Sequence, residues 1–251
     1  MIAAIARRLL EAGLATRGYA LRDAGRPPRD FAGFLAAFRR TGVIPRTVID
    51  VGVGPGTDWL YDAFPEAELE LFEPLQGFAP QIAALQARRT ARVHWCALSD
   101  SAGEMVLRVP DNTPTGSSLL AIDPAWEKVQ RKVGRTGYSE QRVPVRRLDD
   151  ELEQLDGACV IKIDAEGADL AVLRGGPRIV AGADLVIVEC SVTPRQIGGS
   201  DYIDVAAHMR GLGFVLADIV DFASFGDPRV LAYIDMAFAP AGGVFLSRAT
   251  G

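Results

Sequence analysis

A chain of 251 residues, 49% of them hydrophobic, is long enough for one large domain with a well-buried core. Its formal net charge of −5 argues against a nucleic-acid partner, whose phosphates call for a basic face. No apolar run approaches the ~18 residues of a membrane span, and "MIAAIARRLL" puts its arginines after the apolar stretch, the reverse of a signal peptide. Cys96, Cys159 and Cys190 lack paired or C-x-x-C spacing and read as buried free thiols of a cytoplasmic protein.

Residues 1–46 carry nine arginines against three acids, so the remainder of the chain is the more acidic. Ile2, Ile5, Leu9 and Leu14 fall near one helical face, and "FAGFLAAFRR" predicts a second helix. Two readings of this extension stand: a helical cap packed on the sheet, or helices over the cleft that help position an anionic or membrane-associated acceptor through a weak peripheral membrane contact. From Val48 onward, short β-branched runs alternate with helical patterns, which predicts an α/β fold with a doubly wound, mostly parallel sheet. The predicted strands are "TVIDV" (47–51), "ELELF" (68–72), "RVHWC" (92–96), "CVIKI" (159–163) and "DLVIVEC" (184–190), with helices over 58–64, 78–89 and 168–173. Residues 101–148 interrupt the alternation with "GEMVLRVP" and "QRVPVRRL", a β insertion. "FVLADIVDF" and "LAYIDMAFAP" predict an antiparallel pair at the sheet edge.

The first strand runs out through Asp50 into Gly52, Gly54 and Gly56, a turn that brings bare backbone to a ligand at the carboxyl edge of the sheet. A dinucleotide fingerprint starting at Gly52 needs glycine where Thr57 stands. Glu73, followed by Pro74, ends the second strand, where an acid accepts from both hydroxyls of a ribose. Together these features point to a nucleoside without a pyrophosphate, and S-adenosylmethionine fits, with Asp50, the three glycines, Thr57, Glu73 and Pro74 as its contacts.

"PRTVIDVGVGPGTDWLYDAFPEAELELFEP", "CALSDSAGEMVLRV", "TGSSLL", "VPVRRLDDEL" and "VIKIDAEGADLAVLRGG" followed by "LVIVECS" resemble the FkbM-type family of S-adenosylmethionine-dependent methyltransferases, in order from about Pro45 to Pro240. The resemblance implies a seven-stranded, Rossmann-like sheet of class I methyltransferase order with the last strand antiparallel. It also implies methylation of a hydroxyl on a sugar, glycolipid or polyketide-type acceptor.

Methyl transfer from a sulfonium needs in-line alignment, and a hydroxyl acceptor must lose its proton. His94, within a strand, reads as packing, and His208 as helix surface. Asp164, Glu166 and Glu189 stand at the ends of the fourth and fifth strands, above the same cleft. Three converging acids supply a general base or hold Mg²⁺; the alternative is that Asp164 orients the cofactor and Glu166 caps a helix. Ala97 and Leu98 offer an apolar wall for adenine, and the insertion brings small hydroxyl residues, Ser118 among them, to the cofactor edge. The same insertion carries Trp126 and Tyr138 amid Lys128, Arg131, Lys132 and Arg135, a pattern that fits a lid over the acceptor. Two other function classes compete: a nicotinamide-dependent oxidoreductase, opposed by Thr57 and the lack of a Tyr-x-x-x-Lys pair, and a non-catalytic nucleoside-binding module.

Overall fold

The computed structural model describes residues 30–132, 137–193, 195–224 and 230–249. In chain order it forms α1 (Phe31–Arg40), β1 (Thr47–Val51), α2 (Asp58–Ala63), β2 (Glu68–Phe72), α3 (Ala79–Gln86), β3 (Ala91–His94), β4 (Ala97–Leu98) and β5 (Gly103–Pro110). There follow α4 (Pro124–Lys132), β6 (Tyr138–Arg146), α5 (Leu148–Glu151), β7 (Cys159–Ile163), α6 (Asp169–Gly175), α7 (Pro177–Ala181) and β8 (Leu185–Ser191). The chain then completes α8 (Tyr202–Gly211), β9 (Phe214–Ser224), β10 (Leu231–Pro240) and α9 (Val244–Ala249).

Seven strands make one sheet in the order β3-β2-β1-β7-β8-β10-β9, in which β10 alone runs against its neighbours. This is the order the resemblance implied. The terminal antiparallel pair forms as expected, with one refinement: β10 inserts beside β8, and β9 takes the edge. Central strands are apolar because both faces are covered, and every residue of β7 is buried. One core layer packs Ile49, Ile161, Val186 and Met236 against α6–α8; the other packs Val48, Val160 and Ile187 against Phe34, Leu35 and Phe38 of α1.

Local chemistry sets the element ends. The Asp30 carboxylate caps α1 by accepting from Gly33 N–H at 2.7 Å, and α1 closes with Arg39 and Arg40 at its negative end. Asp201 and Asp204 form a reciprocal capping box that starts α8. The insertion builds the expected extra sheet, ordered β4-β6-β5, plus the helix α4, which buries Trp126. The helix anticipated around Ile2 to Leu14 lies outside the described residues, as does Arg135. Cys96, Cys159 and Cys190 are free and buried. No helix among the described residues is long and apolar enough to cross a membrane.

Candidate active site

Two cavities open side by side at the carboxyl ends of the strands. The first, about 320 Å³, has the turn after β1 as its floor. Gly52 donates its N–H to Phe72 O, Asp164 N–H donates to Val51 O, and both bonds measure 3.0 Å, so the ends of β1, β2 and β7 are locked together. At Gly52, with φ of 79°, a Cβ would stand 1.9 Å from the Asp164 carbonyl oxygen. Glycine is therefore required there twice over, by conformation and by contact. Gly52, Gly54, Gly56 and Thr57 all line this cavity.

Glu73 and Pro74 form its next wall. The Glu73 carboxylate, 4% exposed, accepts from Gly54 N–H and from Leu75 N–H, each at 2.8 Å. It thus pins the glycine turn to the end of β2 and still faces the cavity with the remaining lone pairs of its two oxygens. Burial raises its pKa, while the two N–H donors oppose the shift. Ala97 and Leu98 line the cavity beside Leu75, Phe78 and Leu107, an apolar slot suited to a flat ring. Phe31 and Trp59, stacked at 3.8 Å between centroids, bring α1 to the same cavity.

Two expected cofactor contacts lie elsewhere. Asp50 is wholly buried and does not line the cavity. Its position on β1 points it beneath the turn, where Tyr61 O–H donates to its Oδ2 and Lys162 Nζ stands 3.7 Å from its Oδ1. Ser118 lines the second cavity and not the first, because its Oγ donates to Glu166 O at 2.7 Å and accepts from Leu120 N–H at 3.0 Å. It clamps the insertion to the turn after β7.

The acids converge as the sequence suggests. Asp164, Glu166 and Glu189 each present a carboxylate oxygen within 4.8 Å of the others. Two buried cations missed in the sequence hold them. Lys162 Nζ donates to Asp164 Oδ2 at 3.2 Å and to Gly52 O at 3.4 Å. Arg195, 5% exposed, donates to Glu189 Oε1 at 2.7 Å, approaches Glu166 Oε2 at 3.3 Å, donates Nε–H to Ser191 Oγ, and lies over the Tyr233 ring. Each acid of the trio thus already has a protein cation beside it, Lys162 or Arg195. Lys162 had a visible signal, a lone charge inside an apolar strand; Arg195, in "VTPRQ", had none.

The turn carrying Glu166 is tightly made. Asp169 accepts from Ala165 N–H at 2.7 Å and from Gly167 N–H at 3.0 Å, and Glu166 has φ of 47°, the one non-glycine positive φ among the described residues. Such strain is held only by its surroundings. Asp169 is pushed up to about 6 by burial, against the Ala165 donor. Farther along, Glu189, Asp235 and Asp221 stand in register across β8, β10 and β9, all lining the first cavity. Like charges directly opposite repel. Burial, then Asp164, pushes Asp235 up to about 7; burial, then Asp164 and Glu166, holds Glu189 far above the usual carboxylate range against Arg195.

Neither histidine lines either of these two cavities. His94 stacks on Phe72 at 4.3 Å and sits between Glu70 (2.8 Å) and Glu151 (3.0 Å), a packing role as expected. His208 is half-buried in α8, deeper than a surface position.

The chain matches the model of the methyltransferase FkbM domain over residues 50–216. It is 28% identical over 153 residues to methyltransferase sdnD of Sordaria araneosa, covering 51% of this chain and 59% of that protein, so it spans less than two thirds of that relative. Among solved structures, it resembles the 1,6-didemethyltoxoflavin-N1-methyltransferase of Burkholderia thailandensis (16% identity, TM-score 0.42, covering 84% of this chain and 76% of that one). It also resembles the magnesium protoporphyrin IX methyltransferase of Synechocystis (10% identity, TM-score 0.43, covering 84% and 81%). With the family model spanning the glycine turn, Glu73 and the acid trio, the chain belongs to the FkbM methyltransferase family.

Proposed function

We propose that this chain is an S-adenosylmethionine-dependent methyltransferase that acts on a hydroxyl of a small-molecule or glycoconjugate acceptor. The observation that carries the reading is the make-up of the first cavity: bare backbone at Gly52 to Gly56 lines it together with Asp164, Glu189, Asp235 and Asp221, against the single cation Lys162. Such a wall favours a cationic ligand and opposes the pyrophosphate of a nicotinamide dinucleotide. Glu73 would take the ribose hydroxyls, the Ala97–Leu98 slot the adenine, and the acids the positive end. When bound, the cofactor supplies an electrophilic methyl group, and as the acceptor oxygen forms its new bond to carbon, the electron pair of the broken C–S bond leaves with sulfur.

The proton is the protein's task. Glu189 lines both cavities, and Arg195 occupies its Oε1, which leaves Oε2 to take the proton of the acceptor hydroxyl. Burial, then Asp164 and Glu166, raises its pKa, and a cation alongside favours the carboxylate that a base must be. Glu166 and Asp164 set the field around it. The test is a thermal-shift comparison of S-adenosylhomocysteine with NAD, followed by turnover on hydroxyl acceptors with and without chelator. Stabilisation by S-adenosylhomocysteine alone and chelator-insensitive transfer are expected; stabilisation by NAD alone, or transfer restored by Mg²⁺ after chelation, would contradict the reading.

A further inference from the structure

Glu189 on β8, Asp235 on β10 and Asp221 on β9 stand in register, and all three line the first cavity. Asp221 and Asp235 lie beyond residue 216, where the match to the family model ends. The pleat fixes the direction of the inner two. Val188, Cys190, Ile234 and Met236 pack into the core layer against α6–α8, so Glu189 and Asp235, each between two of them, point to the opposite face, where the cavity is. Asp235 is 8% exposed, and its carboxylate has neither a hydrogen bond nor an ion pair among the described residues. Its oxygens are not sealed off as Asp50 Oδ1 is, so the cavity reaches them. The two cations nearby are engaged elsewhere: Lys162 acts on Asp235 through space but bonds to Asp164 and Gly52 O, and Arg195 holds Glu189 and Glu166. A buried carboxylate without a counter-charge, in a row of like charges, costs stability that a bound cation offsets.

The ammonium of the cofactor is not that cation. β10 stands four strand spacings, ~19 Å, from β2, whereas the six single bonds from ribose to ammonium draw out to about 10 Å. With the ribose on Glu73, the tail ends near β1 and β7, beside Asp164. We propose that Asp235, with Asp221 beside it, binds an ammonium group of the acceptor, so that the molecule methylated is an amino alcohol with its hydroxyl at Glu189 and its charged nitrogen at Asp235. Opposed residues on adjacent antiparallel strands are ~5 Å apart, which matches a nitrogen and an oxygen separated by three carbons. Tyr233, two positions before Asp235, lines the same cavity and gives the carbon frame an aromatic wall. The inference rests on the reading that the first cavity holds the cofactor and that Glu189 is the base.

The experiment uses the full chain saturated with S-adenosylhomocysteine, whose zwitterionic tail has no net charge, and two probes of one shape, cis-3-aminocyclohexanol and cis-1,3-cyclohexanediol. Both are titrated by saturation-transfer NMR at pH 8, above the value of about 7 to which burial pushes Asp235. The cationic probe is expected to bind about tenfold or more tightly, the worth of one charge-assisted hydrogen bond. Asp235→Asn, which keeps the shape of the side chain, should bring the ratio to about twofold or less, while affinity for S-adenosylhomocysteine, measured by calorimetry, stays within about threefold. Asp221→Asn, at an exposed position, should lower the ratio by about half, and it keeps the test open if the first variant fails to fold. Equal binding of the two probes, binding of neither, or a preference untouched by Asp235→Asn, or by Asp221→Asn where the first variant does not fold, overturns the proposal. So does a larger loss of S-adenosylhomocysteine affinity in Asp235→Asn, which would give that acid to the cofactor. Failure of the wild-type chain to bind S-adenosylhomocysteine instead overturns the cofactor reading, and the preference for the amine is then still measurable on the protein alone.

Discussion

The two cavities share a wall but are built from different materials. The first is made by main chain: strand ends, a glycine turn, and carboxylates such as Glu73 whose oxygens hold that turn in place. The second is made by side chains from the insertion and from the loop after β8, held together by Arg195 and Ser118. The first cavity is therefore fixed by backbone geometry, and the second by contacts between distant segments. Substitutions should separate the two.

The largest effect belongs to the shared wall. Glu189→Gln keeps the shape of the side chain and removes the base, so kcat should fall roughly 10²–10⁴-fold while S-adenosylhomocysteine affinity changes little. Steady-state kinetics with calorimetry measures both, and a parallel loss of cofactor affinity would make Glu189 part of the first cavity only. In the wild type, kcat/KM should rise with pH through the raised Glu189 pKa of the free enzyme.

Lys162→Met strikes beneath the glycine turn. It leaves the buried Asp50 and the half-buried Asp164 without their cation, a loss of about 3–5 kcal/mol in denaturant-induced unfolding. Stability within about 1 kcal/mol of wild type would mean that the Lys162 pairs matter little to the first cavity.

Stability of the ligand-free protein should fall as pH rises. Asp169 at about 6 and Asp235 at about 7 sit above their unfolded values near ~3.9, so their contribution is complete below that value and is lost as pH climbs through 6 to 7. His94, raised because Glu70 and Glu151 outweigh its burial, adds stability below ~6.5 that disappears above its folded pKa, in the same direction. Tm should drop by about 5 °C between pH 5 and pH 8, and Asp235→Asn should flatten the curve. A Tm that climbs over this range would refute the burial-driven shifts.

Ser118→Ala is the mildest. Removing the clamp on the Glu166 carbonyl should cost about 1 kcal/mol in stability and weaken acceptor use, with cofactor affinity intact. Cofactor affinity that falls with it would place Ser118 in the first cavity after all.

The difference between the cavities also explains what was legible in the sequence. Strands β1, β2 and β7 could be bounded to the residue because continuous apolar runs end in glycine or acid, and the glycine spacing followed from the chain's need to approach a ligand. Glu73 was legible as a strand-end acid, although its hold on Gly54 was not. Asp50 was misplaced because a motif position does not say which way a side chain points; the pleat turns it under the floor, towards Tyr61 and Lys162. Ser118 was legible as a residue of the cofactor edge but its clamp on Glu166 was not, and Arg195 was not legible at all, since each contact joins segments far apart in sequence. The place of β10 between β8 and β9 came from the resemblance alone, because local pattern fixes a hairpin and not which of its strands meets β8.

The central claim is that the first cavity binds S-adenosylmethionine with its ribose on Glu73. Calorimetric titration of S-adenosylhomocysteine into the wild-type chain and into Glu73→Gln tests it most directly, because the amide keeps the size of the side chain and removes its charge. Binding to the wild type, with affinity about tenfold or more lower in the folded variant, is the predicted result. Unchanged affinity in a folded Glu73→Gln protein, or no binding to the wild type, would contradict it.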